Sequence, residues 1–133
     1  MTRTLCLLLG AATAVAAVDL VHKHLAISER GDTVFLHDRP ARYVVAGAAL
    51  SLAWAGAIAL TRSSTIALPG GVVLGGAVGN LLSFALWPSL PGVPDAILVG
   101  RVAFSLGDVA VIGGLLMLLP AALVFAVRNR ARL

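Results

Sequence analysis

The sequence predicts an all-α membrane protein: a four-helix transmembrane bundle with a small extracytoplasmic loop region, forming one domain over residues 1–133. Two observations predict it. The chain is 59% hydrophobic and 12% charged, whereas a soluble domain carries about twice that charge. Its apolar residues also gather into four runs, roughly Thr4–Ile27, Tyr43–Leu60, Ile66–Trp87 and Val102–Val127. Each is near the ~20 residues needed to cross a bilayer. The runs take up most of the chain and leave little for a soluble domain. A net charge of +4 raises nucleic acid as a partner, but no basic face remains once the runs are assigned. Membrane lipid is the expected surrounding, and the expected location is a cell membrane, crossed several times.

The first run is the least regular. Leu5–Val18 is about 14 residues, or roughly 21 Å at 1.5 Å per residue, too short to span. The helix must therefore continue through Asp19 and Lys23. These residues are four apart, so they share a face and can pair. Arg3, Leu5–Leu9 and Ala14-Val15-Ala16 also fit a secretory signal with an A-x-A cleavage site. The apolar pattern runs on through Val18, Leu20, Val21, Leu25, Ala26 and Ile27, which favours a retained span. Cys6 is the sole cysteine; it cannot form an internal disulfide and is expected to pack against neighbours.

Ser28–Arg42 is polar and reads as a loop, with Thr33-Val34-Phe35-Leu36 as a short strand or interfacial segment. Arg62-Ser63-Ser64 reads as a tight turn between the second and third runs. The third run carries Gly71, Gly75 and Gly79, with Gly70 and Gly76 beside them. Small residues at spacing four let two helices approach closely. They are not a phosphate loop, because no strand precedes them and no Lys-Ser/Thr follows. Pro88, Pro91 and Pro94 forbid a continuous helix between the third and fourth runs.

Asp108 is the single acid of the fourth run. An ionised carboxyl at membrane depth costs about 2.5–3.5 kcal/mol or more, so such a residue usually has a task. Its expected place is about six residues inside the run, roughly 9 Å deep. Ser105 precedes it by one helical turn, and Asn80 and Ser83 share a face near the end of the third run. Asp19, Lys23, Asn80, Ser83, Ser105 and Asp108 thus fall at one depth on one side, with Asp95 in the loop above them. A bundle buries such groups against each other rather than in lipid. Two carboxyls brought close do not easily both ionise, and such a pair can act as general acid and general base on a water. Asp95 and Asp108 are the natural catalytic pair, one on a flexible loop and one fixed in a helix. Asp19 and Lys23 read first as an ion pair that orients the first helix. His22 and His24 lie on different helix faces, and no cluster of Cys, Asp or Glu completes a metal site with them or with His37. No metal and no cofactor are expected. An interfacial place, with the ring tips reaching water, suits the histidines better.

The order of these elements resembles the lipoprotein signal peptidase (signal peptidase II) family. The matching segments are Asp19-Leu20-Val21-His22-Lys23, Gly75-Gly76-Ala77-Val78-Gly79-Asn80, Val93-Pro94-Asp95 and Phe104-Ser105-Leu106-Gly107-Asp108. The resemblance implies four transmembrane helices with both ends cytoplasmic in a bacterial plasma membrane. It implies an aspartic endopeptidase that cuts signal peptides from lipidated prolipoproteins, with Asp95 and Asp108 as catalytic residues. It also implies that Asn80, Asp19, Lys23 and Ser105 are supporting or substrate-binding residues. The chain departs from the family in three places. It has Asn80-Leu81-Leu82-Ser83-Phe84 where the family has Asn-x-x-Asp-Arg, and Ser105-Leu106-Gly107-Asp108 where the family has Asn-x-Ala-Asp. Ser28–Arg42 has no counterpart of the family's Asn-x-Gly-Ala-Ala-Phe. A non-catalytic binding or assembly protein of the same kind stays open, as does an unrelated small helical protein such as a transporter subunit. A transporter would hold its polar groups nearer the midplane.

The ten basic residues divide five and five, with Arg3, Arg62, Arg128, Arg130 and Arg132 on the side of the termini and Lys23, Arg30, Arg39, Arg42 and Arg101 on the other. The positive-inside count therefore does not decide the topology. The tail cluster Arg128, Arg130 and Arg132 favours both ends facing the cytoplasm. Reporter fusions at Leu133 and near Gly92 test this. The expected result is a cytoplasmic signal at Leu133 and an outward one near Gly92; an outward signal at Leu133 reverses the topology.

Overall fold

The structure is a computed structural model that describes residues 2–30, 35–38, 40–90 and 92–130. Its four helices are α1 (Thr2–Arg30), α2 (Ala41–Leu60), α3 (Ser64–Leu86) and α4 (Leu106–Asn129). Each is long and apolar enough to cross a membrane. Four short strands accompany them: β1 (Phe35–Asp38), β2 (Gly92–Asp95), β3 (Ile97–Val99) and β4 (Val102–Phe104). Four helices are present as the sequence reading expects, with the fourth starting later than expected.

The third helix is the centre of the bundle. It packs along α1 and α4 over long stretches, while α2 rests chiefly on α3. The glycines explain how α1 comes so close. A Cβ added to Gly71 would stand 2.5 Å from the Leu8 carbonyl oxygen. One on Gly75 would stand 2.6 Å from that of Ala12, and one on Gly79 would stand 2.6 Å from Asp19 Oδ2. The backbones can reach this separation only where no side chain intervenes. On the facing helix the buried stripe is Leu8, Ala12, Ala16, Asp19, Lys23 and Ala26. One seam is therefore apolar along most of its length and ionic near its end. Gly76 points the other way, where a Cβ would strike the Gly107 carbonyl of α4. The paired positions show that α1 runs parallel to α3, whereas α4 runs antiparallel to it. The C-terminal ends of α1 and α3 therefore meet the N-terminal end of α4.

The α2–α3 turn is as tight as the polar Arg62-Ser63-Ser64 run suggests. Arg62 adopts a left-handed φ of 52°, and Ser63 caps α3 by accepting a hydrogen bond from Ile66 N at 3.4 Å. The indole of Trp54 donates to the Gly70 carbonyl at 2.9 Å and fastens α2 to α3.

Three expectations change. The fourth run does not begin as a helix at Val102. Val102–Phe104 form β4, antiparallel to β3 across a turn where Gly100 has φ +63°, as a two-residue hairpin with glycine first requires. Asp95 is not on a flexible loop. It ends β2, which pairs antiparallel with β1 in the register Phe35↔Asp95 to Asp38↔Gly92. The expected strand Thr33–Leu36 is present at Phe35 and Leu36 and continues to Asp38 as β1; Thr33 and Val34 lie outside the described residues. Cys6 is exposed rather than packed, because the glycine seam of α3 meets the Leu8–Ala12 face of α1 and leaves Cys6 on another side.

The seam makes a paired prediction. Gly75→Ala meets backbone that cannot yield and should destabilise the bundle by about 1–3 kcal/mol. Gly10→Ala, with nothing within 4 Å of its added Cβ, should be neutral or stabilising by up to about 1 kcal/mol. Reversible unfolding in detergent micelles measures both. Equal costs would contradict close backbone packing at Gly75.

Candidate active site

Lys23 and Asp19 are fully buried, and their side chains meet at 2.6 Å, Nζ to Oδ2. A buried ammonium is tolerable only when its three donors find acceptors. Lys23 also donates to Asn80 Oδ1 at 2.7 Å and to Ser83 Oγ at 3.2 Å. Ser83 passes its own proton to the Gly79 carbonyl at 2.9 Å, which leaves its oxygen free to accept. The second carboxylate oxygen of Asp19 accepts from the Gly107 backbone N–H at 2.7 Å. One ion pair therefore joins α1 to α3 through Lys23 and to α4 through Asp19.

The same cluster continues to Asp108. Asn80 Nδ2 donates to Asp108 Oδ1 at 2.9 Å. The other oxygen, Oδ2, accepts from Ser105 N at 3.0 Å. In return the Asp108 N–H donates to Ser105 Oγ at 3.2 Å, and the two residues form a capping box. The Ser105 hydroxyl lies 3.1 Å from both Asn80 Oδ1 and Asp108 Oδ2; its single proton serves one of them at a time.

This geometry corrects the depth assigned to Asp108. Because Ser105 ends the extended segment and caps α4, Asp108 is the third residue of the helix, not six residues inside a span. An acid in the first turn completes the cap and faces the positive end of the helix dipole. Its cost is correspondingly lower than that of a carboxyl in mid-membrane.

Asp95 reaches the same region from β2. The residue is 2% exposed, and its strand contacts both α3 and α1. The adjoining strand ends are tied to α1 by Arg30, which donates to the Ala96 carbonyl at 2.9 Å. Asp19, Lys23, Asn80, Ser83, Asp95, Ser105 and Asp108 thus gather at one end of the bundle; His24 is exposed and His22 part-buried. The side chain of His37 lies outside the described residues. Among the described residues, no three His, Cys, Asp or Glu side chains group as a metal site would.

The cluster opens sideways. Between α2 and α4, over one face of α3, lies a groove of about 690 Å³ lined by Tyr43, Gly47, Leu81, Phe84 and Ile112 together with Asn80 and Asp108. A stretch of about 590 Å³ shares Gly47, Leu50, Ala77 and Val111 with it and reaches Trp54 and Val73. Ser51 is the one hydroxyl in that second lining. The groove is therefore an apolar channel with a carboxyl and an amide at one end. Sequence reading did not find it, since no periodicity marks a gap left by a helix that rests chiefly on one neighbour. It also missed the backbone N–H of Gly107, the group that ties Asp19 to α4.

No protein-family model, no curated protein and no solved structure matches the chain.

The ion pair makes its own prediction. Lys23→Ala strands a buried carboxylate and should cost about 3–5 kcal/mol. Adding Asp19→Asn, which removes the charge but keeps an acceptor for Gly107, should recover part of that loss. A double-mutant cycle on unfolding free energy measures the coupling. A double variant less stable than Lys23→Ala alone would contradict the pairing.

Proposed function

We propose that this chain is a multi-pass membrane aspartic endopeptidase of the signal peptidase II kind, cutting signal peptides from lipidated prolipoproteins with Asp95 and Asp108 as its catalytic pair. The observation that carries the reading is the position of Asp108 and Asn80 at the polar end of an otherwise apolar lateral groove. A substrate that arrives as an apolar segment within the bilayer has to enter from the side. The groove suits its apolar length, and its scissile bond comes to rest where the polar groups begin. Four helices of spanning length and composition support the membrane setting. The basic tail and the family resemblance support cytoplasmic termini in a bacterial plasma membrane.

The chemistry needs one proton shared by two carboxyls. The charged member takes a proton from a water held between them, and the hydroxide so formed attacks the scissile carbonyl carbon. The protonated member gives its proton to the amide nitrogen as the C–N bond breaks. A carboxylic acid and an amine leave and exchange a proton to become carboxylate and ammonium, while the pair keeps the one proton it took from the water. Asp108 is held on both oxygens by Asn80 and Ser105, so its carboxyl plane is fixed. Asp95 is carried on β2, so its place relative to Asp108 is set by the β1–β2 pair. No metal or cofactor takes part.

A second reading has an observation of its own. Asp108 completes the capping box of α4, a structural task that explains an acid at this position without catalysis. In that reading the groove binds an apolar partner, and the chain is a non-catalytic membrane binding or assembly protein.

The two readings part on substitution. Asp95→Asn and Asp108→Asn should each abolish cleavage of a lipidated precursor while leaving fold and insertion intact. The double variant should be little worse than either single one, because the pair acts as a unit. Cleavage by purified protein in lipid vesicles is the assay. Near-normal cleavage by either single variant would overturn the catalytic pair and leave the binding reading.

A further inference from the structure

An asparagine side chain has an acceptor end and a donor end, and turning it over about 180° exchanges them. At Asn80 the surroundings permit only one orientation. Lys23 carries donors alone, and its Nζ stands 2.7 Å from Oδ1. The Ser105 hydroxyl lies 3.1 Å from the same oxygen. With the amide turned over, an NH2 group would face a buried ammonium, donor against donor, with neither satisfied. The donor end must therefore face α4, where Asp108 Oδ1 lies 2.9 Å away.

Lys23 has no freedom to relax this constraint. It is fully buried, held by Asp19 at 2.6 Å and by Ser83 at 3.2 Å, and the Ser83 proton is committed to Gly79. Its position is fixed on α1 and α3 alike.

We propose that Asn80 is a positioning residue for Asp108, and that Lys23 is the lock that sets which end of its amide Asp108 meets. Lys23 thus acts on the carboxyl through Asn80, one helix away, without touching it. The donor on Oδ1, with Ser105 N on Oδ2 at 3.0 Å, holds the carboxyl plane at a set angle to the groove. The effect on turnover rests on the peptidase reading; the orientation of the amide does not.

The decisive variant is Asn80→Asp. It keeps the shape of the side chain and the contact with Lys23 but replaces the donor facing Asp108 with an acceptor. A new carboxyl that acts on Asp108 by charge alone predicts a kcat profile shifted along pH with its maximum kept. Positioning predicts that kcat falls about 100-fold while KM stays within about two-fold. Retained kcat in a folded Asn80→Asp protein overturns the proposal.

A spectroscopic arm needs neither that variant nor any activity. The ¹⁵N side-chain amide of Asn80 is followed in lipid nanodiscs, in the wild type and in Lys23→Met combined with Asp19→Asn. That pair removes both charges together and leaves an acceptor for Gly107. The proposal predicts displaced or exchange-broadened amide signals in the double variant, and displaced signals in Asp108→Asn as well. Unchanged Asn80 signals in either overturn it. If the wild type cleaves nothing while the amide signals respond as stated, the peptidase reading fails and the lock stands.

Discussion

The Lys23 ammonium is the group on which the rest of the structure depends. It lies in a largely apolar bundle, and it is stable there because Asp19, Asn80 and Ser83 accept its three hydrogen bonds. Two of those acceptors come from α3 and one from α1 itself. Asp19 then extends a hydrogen bond to Gly107 on α4. Apolar packing alone would not choose between neighbouring registers of these helices, since a lipid tail is as apolar as leucine. A buried charge does choose, because sliding α1 along α3 by a turn would part the ammonium from its two α3 acceptors, Asn80 and Ser83. The glycine seam allows the approach, and the ion pair fixes the register.

That constraint also arranges the candidate site. Gly79 gives room to Asp19, so Lys23 can reach Asn80; Asn80 in turn meets Asp108. The carboxyl that faces the groove is thus the last member of a chain that begins at the ion pair. Burial of polar groups at this end serves two purposes at once, holding three helices together and presenting a carboxyl to an apolar channel. Stability and the proposed chemistry draw on the same side chains, so substitutions in Lys23 or Asn80 need a kinetic or spectroscopic readout beside a thermal one.

Much of this was legible in the sequence. Hydropathy located four helices, the four-residue glycine spacing located the close seam, and the i,i+4 spacing of Asp19 and Lys23 located the ion pair. Polar residues at comparable distances from helix ends revealed the cluster. The rest was hidden for physical reasons. Val102, Ala103 and Phe104 are as apolar as a helix start, and only the capping box at Ser105 and Asp108 shows that the chain is still extended there. Asp95 follows two prolines and looks like loop, because its strand pairs with β1, more than fifty residues earlier. Cys6 is one of many small apolar residues of α1, and its exposure follows from which face the glycines select. The groove depends on α2 packing against α3 while standing off α4, a relation that no local pattern encodes.

The most direct test of the account uses the unmodified chain. Purified protein in lipid vesicles is incubated with a precursor whose cysteine is lipid-modified, and the products are read by mass spectrometry. The account predicts two fragments, with a new amine at the lipidated cysteine and a carboxylate on the released signal segment. Precursor recovered intact, while circular dichroism shows the helices folded, would contradict it.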